Sequence, residues 1–234
     1  MAAVEELKKE AGINACKYVK NGMKVGLGTG STVKYTILEL GRMIAEEELQ
    51  IIGVPTSEAT KKLAESLNIP LSDLSEIEKL DLTIDGADEF DTNYDLIKGG
   101  GGALTREKIV ALASKAMIVV ADDRKKVSTL GKFPLPVEVS VSNWEEVKEK
   151  ISNICPGKVN LRMENQNPFV TDNGGYILDC NFGSTISEPD IYEKKINSIE
   201  GVVEVGLFVG ICDVIIFSSL SGIQTLIKPN GRIS

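Results

Sequence analysis

Four short apolar runs, Lys24 to Leu27, Gln50 to Val54, Leu80 to Ile84 and Ala116 to Ala121, alternate with segments of helical periodicity near 32–45, 58–67 and 104–115. Repeated strand–helix–strand units build a parallel sheet whose faces are covered by helices, so this alternation restricts the first half of the chain to an α/β architecture. One more helix precedes the first strand: Val4, Leu7, Ala11, Ala15, Tyr18 and Val19 recur at helical spacing up to the Asn21-Gly22 stop signal. With 234 residues, 42% of them hydrophobic, the chain can bury one large domain, or one domain carrying a smaller one.

The rhythm changes at GKFPLPVEV, where Pro134 and Pro136 interrupt both helical and central-strand patterns and mark a crossing into a second unit. That unit reads as strand 137–142, helix 143–153, strand 158–163, a hairpin turning at Asp172-Asn173-Gly174-Gly175, helix 189–198 and strand 202–207. The order is close to a split βαβ unit. The run Val214 to Phe217 is then expected to rejoin the first sheet.

Composition excludes several functions. A net charge of -8 argues against tracking a nucleic-acid backbone, which depends on Lys and Arg neutralising phosphates. No apolar run reaches the length of a spanning helix, and MAAVEELKKE lacks the basic start and apolar middle of a signal peptide, so a cytoplasmic protein with no membrane contact is expected. Cys16, Cys155, Cys180 and Cys212 form no CxxC pair and read as small buried apolar residues. The chain has no histidine, which removes Ser-His-Asp triads, Cys-His pairs and His-containing zinc sites together. Acid–base work falls to Asp, Glu, Lys, Tyr or Cys.

Three segments can carry chemistry. GLGTGST, Gly26 to Thr32, lies between a strand and a helix, where glycines let backbone N–H groups approach an anion at the helix's positive end. A dinucleotide fingerprint would need glycine where Ser31 stands, and the next strand ends in Gly-Val-Pro-Thr without a ribose-binding acid, which favours a lone phosphate; a ligand-free glycine turn is the competing reading. DGADEFD follows the strand LDLTI and sets Asp85 and Asp88 past a strand's carboxyl end, where open α/β sheets bind ligands. A solvated turn explains that segment as well, and magnesium ranks below direct contacts with sugar hydroxyls because the spacing of a calcium loop is absent. In KGGGGALTREKI, Lys98 precedes four glycines and a helix whose expected apolar face is Leu104, Ile109, Leu112 and Ala113, with Glu107 near its start. Four glycines carry a large conformational-entropy cost, which close backbone approach to a ligand or a neighbouring loop explains; Lys98 can neutralise a developing oxyanion. Ordinary complementarity with the helix dipole is the plain alternative for Glu107.

Together GLGTGST, DGADE, KGGGGALTREKI, VADDRK, GKFPLPVEV, TDNGGYILD and GVVEVGLF resemble, in order and over nearly the whole chain, the type A ribose-5-phosphate isomerase family. The resemblance implies interconversion of ribose 5-phosphate and ribulose 5-phosphate through an enediolate, without metal or redox cofactor, with Glu107 as the base. It further implies that Asp85 and Asp88, with Gly86 and Ala87 of the same segment, contact sugar hydroxyls and assist ring opening. Lys98 corresponds to the lysine before the family's glycine run, here Gly99, Gly100 and Gly101. Thr29, Gly30, Ser31 and Thr32 would cradle the phosphate, Lys125 would bind substrate, and Lys8 could reach the phosphate. The fold so implied is a Rossmann-like parallel-sheet domain over 1–131 and 208–234 with a smaller inserted α+β domain, split βαβ and ferredoxin-like, over 132–207. A homodimer or larger homo-oligomer is expected. The sequence departs from the commoner pattern at Gly102, where alanine is usual, and near Ser218-Ser219-Leu220-Ser221. A sugar-phosphate sensor would need a DNA-binding module, and none is visible. An acyl or CoA transferase would use a glutamate nucleophile, whereas DGADE suits a polyhydroxylated substrate better than a thioester.

Overall fold

The computed structural model describes residues 2–233, which divide into two compact units. The first contains residues up to Ala87, Arg106–Lys125 and the segment from Ile211 onward; the second contains Asp88–Thr105 and Lys126–Gly210.

A six-stranded sheet forms the first unit, in the order Gly222–Ile227, Val214–Ser219, Met117–Asp122, Leu82–Gly86, Lys24–Leu27, Ile52–Pro55. All neighbours are parallel except the edge pair, where Gly222–Ile227 runs antiparallel to Val214–Ser219. The Val214–Ser219 strand rejoins this sheet as expected, and the hairpin strand after it is an addition that the sequence reading missed. Leu27, Ile84, Ile118 and Ile216 from four of these strands pack with Ile37 and Leu40 of the helix Val33–Glu47. From Lys24–Leu27 the chain moves to one side, to Ile52–Pro55, and returns on the other side as Leu82–Gly86. Strand order therefore reverses at Lys24–Leu27, and in open α/β sheets the carboxyl ends of the strands at such a reversal are where ligands bind.

In the second unit a four-stranded antiparallel sheet has the order Val202–Val205, Leu135–Val139, Tyr176–Cys180, Val159–Leu161. Helices Trp144–Ser152 and Pro189–Asn197 supply Val147, Ile151 and Ile196 to its core, giving a split βαβ unit. Glu89–Phe90, Leu96–Ile97 and Leu207–Phe208 form a separate three-stranded sheet.

Pro136 corrects one expectation: it lies inside a strand that has neighbours on both sides. Its carbonyl accepts the Gly206 N–H at 2.8 Å, but proline has no N–H to return, and the Gly206 carbonyl instead accepts the Lys98 N–H at 2.9 Å. A Cβ on Gly206 would collide with the carbonyl oxygens of both Lys98 and Pro136. The strand expected over 202–207 is accordingly split at Gly206, Val202–Val205 pairing in one sheet and Leu207–Phe208 in another.

The C-terminal segment is tied to the first sheet by a buried carboxylate. Asp213 accepts the Met117 N–H at 2.9 Å and the Arg232 N–H at 2.9 Å, and it pairs with the Arg232 guanidinium at 2.8 Å. Burial pushes its pKa up, but the Arg232 side chain and the two backbone donors outweigh burial and hold it below the usual carboxylate range. A depressed native pKa contributes stability above the unfolded-state value and loses it as pH falls through the folded-state value. Asp213→Asn is therefore expected to lose about 1–3 kcal/mol at neutral pH, with the gap to wild type narrowing as pH falls below the usual carboxylate range, as read by urea unfolding at neutral and at acid pH. Gly206→Ala is expected to lower the urea midpoint by the equivalent of about 1–3 kcal/mol, because two backbone carbonyls cannot yield to a methyl group.

Candidate active site

Two loops of the first unit meet at Asp85, the fully buried penultimate residue of the Leu82–Gly86 strand. Its Oδ1 accepts the Thr29 N–H at 2.9 Å and the Gly86 N–H at 2.7 Å. A Cβ on Gly28 would overlap the Asp85 carboxylate, so glycine is required there by contact. The Thr29 hydroxyl turns away from solvent and meets those of Thr56, Ser57 and Thr60 at 2.7, 2.8 and 3.2 Å. Thr60 in turn donates to the Gly28 carbonyl at 2.8 Å, and Ser57 caps the helix Glu58–Ser66 by accepting the Thr60 N–H. The Thr29 side chain is thus part of the scaffold, while Gly30 and Ser31 stand exposed before the helix Val33–Glu47. Thr32 is buried and makes no side-chain cap. The first turn of such a helix presents backbone N–H groups and the positive end of its dipole. Beside the loop lies a cavity of about 280 Å³ lined by Gly28, Thr29, Gly30, Lys34, Thr60 and Leu63.

Sequence reading missed the hydroxyls of Thr56, Ser57 and Thr60. The available signal was TSEAT, which follows Ile52–Pro55 as GTGST follows Lys24–Leu27, so both motifs sit at the carboxyl ends of adjacent strands.

Lys98, Asp88 and the glycine run belong to the second unit. Lys98 is 2% exposed, its ammonium 5.4 Å from the centre of the Phe208 ring. The Asp88 N–H donates to the Ile97 carbonyl at 2.8 Å, and its Oδ2 accepts the Gly100 N–H at 2.6 Å. A Cβ on Gly100 would overlap the Asp88 carboxylate. Gly100 and Gly101 are exposed and Gly99 is buried. Gly102 has φ +79, and a methyl there would also strike the Phe169 ring, so the expected departure from alanine has a local cause in this chain. Beyond the loop, the buried Glu138 accepts hydroxyl hydrogen bonds from Thr105 and, at 2.6 Å, from Thr171.

The helix Leu104–Leu112 contradicts its expected apolar face. Leu104 is fully buried, but Ile109 and Leu112 are 50% and 64% exposed and Ala113 is only half-buried, whereas Glu107 and Lys108 are each 4% exposed. Buried with them are Val110 and Ala111. Periodicity misled because the inward face is chosen by two charged residues as well as by apolar ones.

Gly86 and Ala87 are half-buried, as is Lys125 at the end of the turn Asp123–Lys125. Beside Lys125, Asp122 is buried, which raises its pKa, yet it is held below the usual range by the Arg124 guanidinium at 2.7 and 2.9 Å. Lys8 pairs with Glu5 at 2.9 Å, and Glu5 also accepts the Tyr35 hydroxyl at 2.8 Å. All four thiols are buried, and desolvation pushes Cys16 and Cys212 up to about 12, so neither supplies a thiolate at neutral pH. Among the described residues no group of three or more His, Cys, Asp or Glu side chains is placed to hold a metal ion, and no helix is long and apolar enough to cross a membrane.

Residues 52–222 match the family model for ribose 5-phosphate isomerase A (phosphoriboisomerase A). Ribose-5-phosphate isomerase A of Bacillus mycoides is 48% identical over 93% of this chain and 98% of its own length. The solved structure of ribose 5-phosphate isomerase A from Methanocaldococcus jannaschii superposes with a TM-score of 0.90 at 42% identity, covering 96% of this chain and 99% of that one. A D-ribose-5-phosphate isomerase in complex with phospho-erythronic acid superposes with a TM-score of 0.92 at 41% identity, with the same coverage. The α/β chain with its mainly parallel central sheet therefore belongs to the ribose 5-phosphate isomerase A family and is an isomerase acting on a sugar phosphate.

Proposed function

We propose that this isomerase interconverts D-ribose 5-phosphate and D-ribulose 5-phosphate through an enediolate, with Glu107 as the proton-transfer base, in the non-oxidative branch of the pentose phosphate pathway. The observation that carries the assignment is the burial of Glu107 on a helix that leaves Ile109 and Leu112 in solvent. Leu104, Val110 and Ala111 fix which face of the helix is inward, and enclosing the Glu107 carboxylate on that face carries a desolvation cost that their packing does not require.

In the open-chain aldose, the Glu107 carboxylate takes the C2 proton as the C2–H electrons form the C1–C2 double bond and the carbonyl electrons move onto O1. The Lys98 ammonium faces that developing charge, the electrostatic role in which a buried cation is most effective. Glu107 then returns the proton to C1 while the O2 hydroxyl proton passes to O1, leaving the carbonyl at C2. Asp85 and Asp88 accept hydrogen bonds from sugar hydroxyls and assist ring opening, with Gly86 and Ala87 supplying close backbone. The phosphate rests at the helix start formed by Thr29, Gly30, Ser31 and Thr32, and Lys125 adds positive charge to the substrate. The Thr29 hydroxyl is taken up by Thr56, Ser57 and Thr60 and supports this loop, so the donors offered to the phosphate are the N–H groups of the exposed residues and the Ser31 hydroxyl. Phospho-erythronic acid, bound in the similar isomerase, combines a phosphate with a planar carboxylate, the charge distribution of a phosphorylated enediolate.

Glu107→Gln is expected to lower turnover of ribose 5-phosphate by about 10²- to 10⁴-fold while phospho-erythronic acid still binds; turnover near the wild-type value overturns the assignment. The wild-type rate is expected to be the same with and without EDTA, because the O1 charge is met by Lys98; a rate abolished by EDTA and restored by a divalent cation would replace the lysine with a metal in that role.

A further inference from the structure

Arg162 is a cation of the second unit that the proposed chemistry leaves unused, and its side chain is only 15% exposed. Its backbone is fixed on both sides, the N–H donating to the Ile177 carbonyl at 2.8 Å and the carbonyl accepting the Phe169 N–H at 2.9 Å. The guanidinium is forked onto Asp179, Nε to Oδ2 at 3.0 Å and Nη2 to Oδ1 at 2.5 Å. Its remaining terminal nitrogen, Nη1, donates to the Gly99 carbonyl at 2.9 Å and to the Gly100 carbonyl at 3.1 Å. Over the same guanidinium lies the Phe169 ring, 5.8 Å from the Arg162 Cζ to the ring centre, and this is the ring against which Gly102 packs.

These contacts address the weakest part of the site. Ordering a residue costs about 1–2 kcal/mol of backbone entropy and glycine loses the most, so a run of four glycines does not hold its peptide planes unaided. A trans peptide holds its C=O and the following N–H in one plane, pointing in opposite directions. Holding the Gly99 oxygen therefore orients the Gly100 N–H, which is bonded to Asp88, and holding the Gly100 oxygen turns the exposed Gly101 N–H away from Arg162. A lysine could supply the charge but not the planar fork that engages Asp179 and two carbonyls together.

We propose that Arg162, oriented by Asp179, is a positioning residue for the isomerisation: it fixes the glycine loop after Lys98 and, through the 99–100 peptide, the Asp88 carboxylate. The inference rests on the reading that Lys98 and Asp88 act on the substrate. Its test uses the full-length enzyme and compares Arg162→Lys, Arg162→Ala and Glu107→Gln in one assay. Arg162→Lys is expected to lower kcat about 10- to 100-fold with KM within about threefold, the pattern of lost preorganisation, while its melting temperature stays close to wild type. Arg162→Ala is expected to recover at least about tenfold in kcat on adding methylguanidinium, which a merely structural role would not give. Arg162→Lys turning over within twofold of wild type, or a loss in Arg162→Ala that methylguanidinium leaves unchanged, overturns the proposal. Should Arg162→Ala fail to fold, the lysine variant alone decides. Near-wild-type turnover of Glu107→Gln would instead strike the underlying mechanism, so the two failures are distinguishable.

Discussion

Charge inside a protein is tolerable only where donors or acceptors come within hydrogen-bonding distance, and backbone can come that close only where no Cβ intervenes. Three glycines beside the proposed site residues of this enzyme obey that constraint. Gly28 leaves room for the Asp85 carboxylate, Gly100 for that of Asp88, and Gly206 for the peptide oxygen of Lys98. Substituting any of the three introduces a methyl group where an oxygen now stands, so the backbone of each loop is spaced by the charged residue it serves. The glycines are thus the means by which two aspartates and a lysine are held at fixed positions by backbone groups rather than by flexible side chains.

Lys98 illustrates how far such positioning depends on backbone bookkeeping. A proline inside the Leu135–Val139 strand leaves the Gly206 carbonyl without the partner that a ladder would supply, and the Lys98 N–H takes that place. The defect that makes proline a poor central-strand residue is here the reason that the chain carrying Lys98 docks where it does. In the first unit the equivalent work is done by hydroxyls. The Thr29 side chain joins Thr56, Ser57 and Thr60, tying together the loops that follow two adjacent parallel strands. Both devices use ordinary hydrogen-bond satisfaction to set a loop's geometry before any ligand arrives.

The parallel sheet and the split βαβ unit were legible because each buried strand is a short apolar run between turn signals, and Val214 to Phe217 stands out for the same reason. The edge strand Gly222–Ile227 was not, because exposed polar residues such as Gln224 and Thr225 break the apolar run that marks a buried strand. The two-residue strands Glu89–Phe90, Leu96–Ile97 and Leu207–Phe208 are too short for any periodicity to register. At the site, charged residues beside glycines were visible as motifs, since the local sequence carries both partners. Arg162 and Asp179 were invisible: each lies far along the chain from the glycines, and an arginine followed by mixed polar residues near a strand end looks like a solvated edge. Only the register of Tyr176–Cys180 against Val159–Leu161 brings the pair together beneath the loop.

The helix Leu104–Leu112 is where local and global preferences conflict most openly. Turned by about half a revolution it would bury Ile109 and Leu112 and return Glu107 and Lys108 to water, but it would expose Leu104, Val110 and Ala111 in exchange. The rotation it adopts buries Leu104 and Ala111 fully and Val110 nearly so. Natural sequences are locally consistent with their folds except where function requires otherwise, and a helix that hides its acid and shows its leucine is such an exception. Stability lost on one helix is supplied elsewhere, by the apolar cores under the two sheets. The misread apolar face and the proposed base are therefore one observation: the rotation that defeats the hydrophobic pattern is the rotation that encloses Glu107.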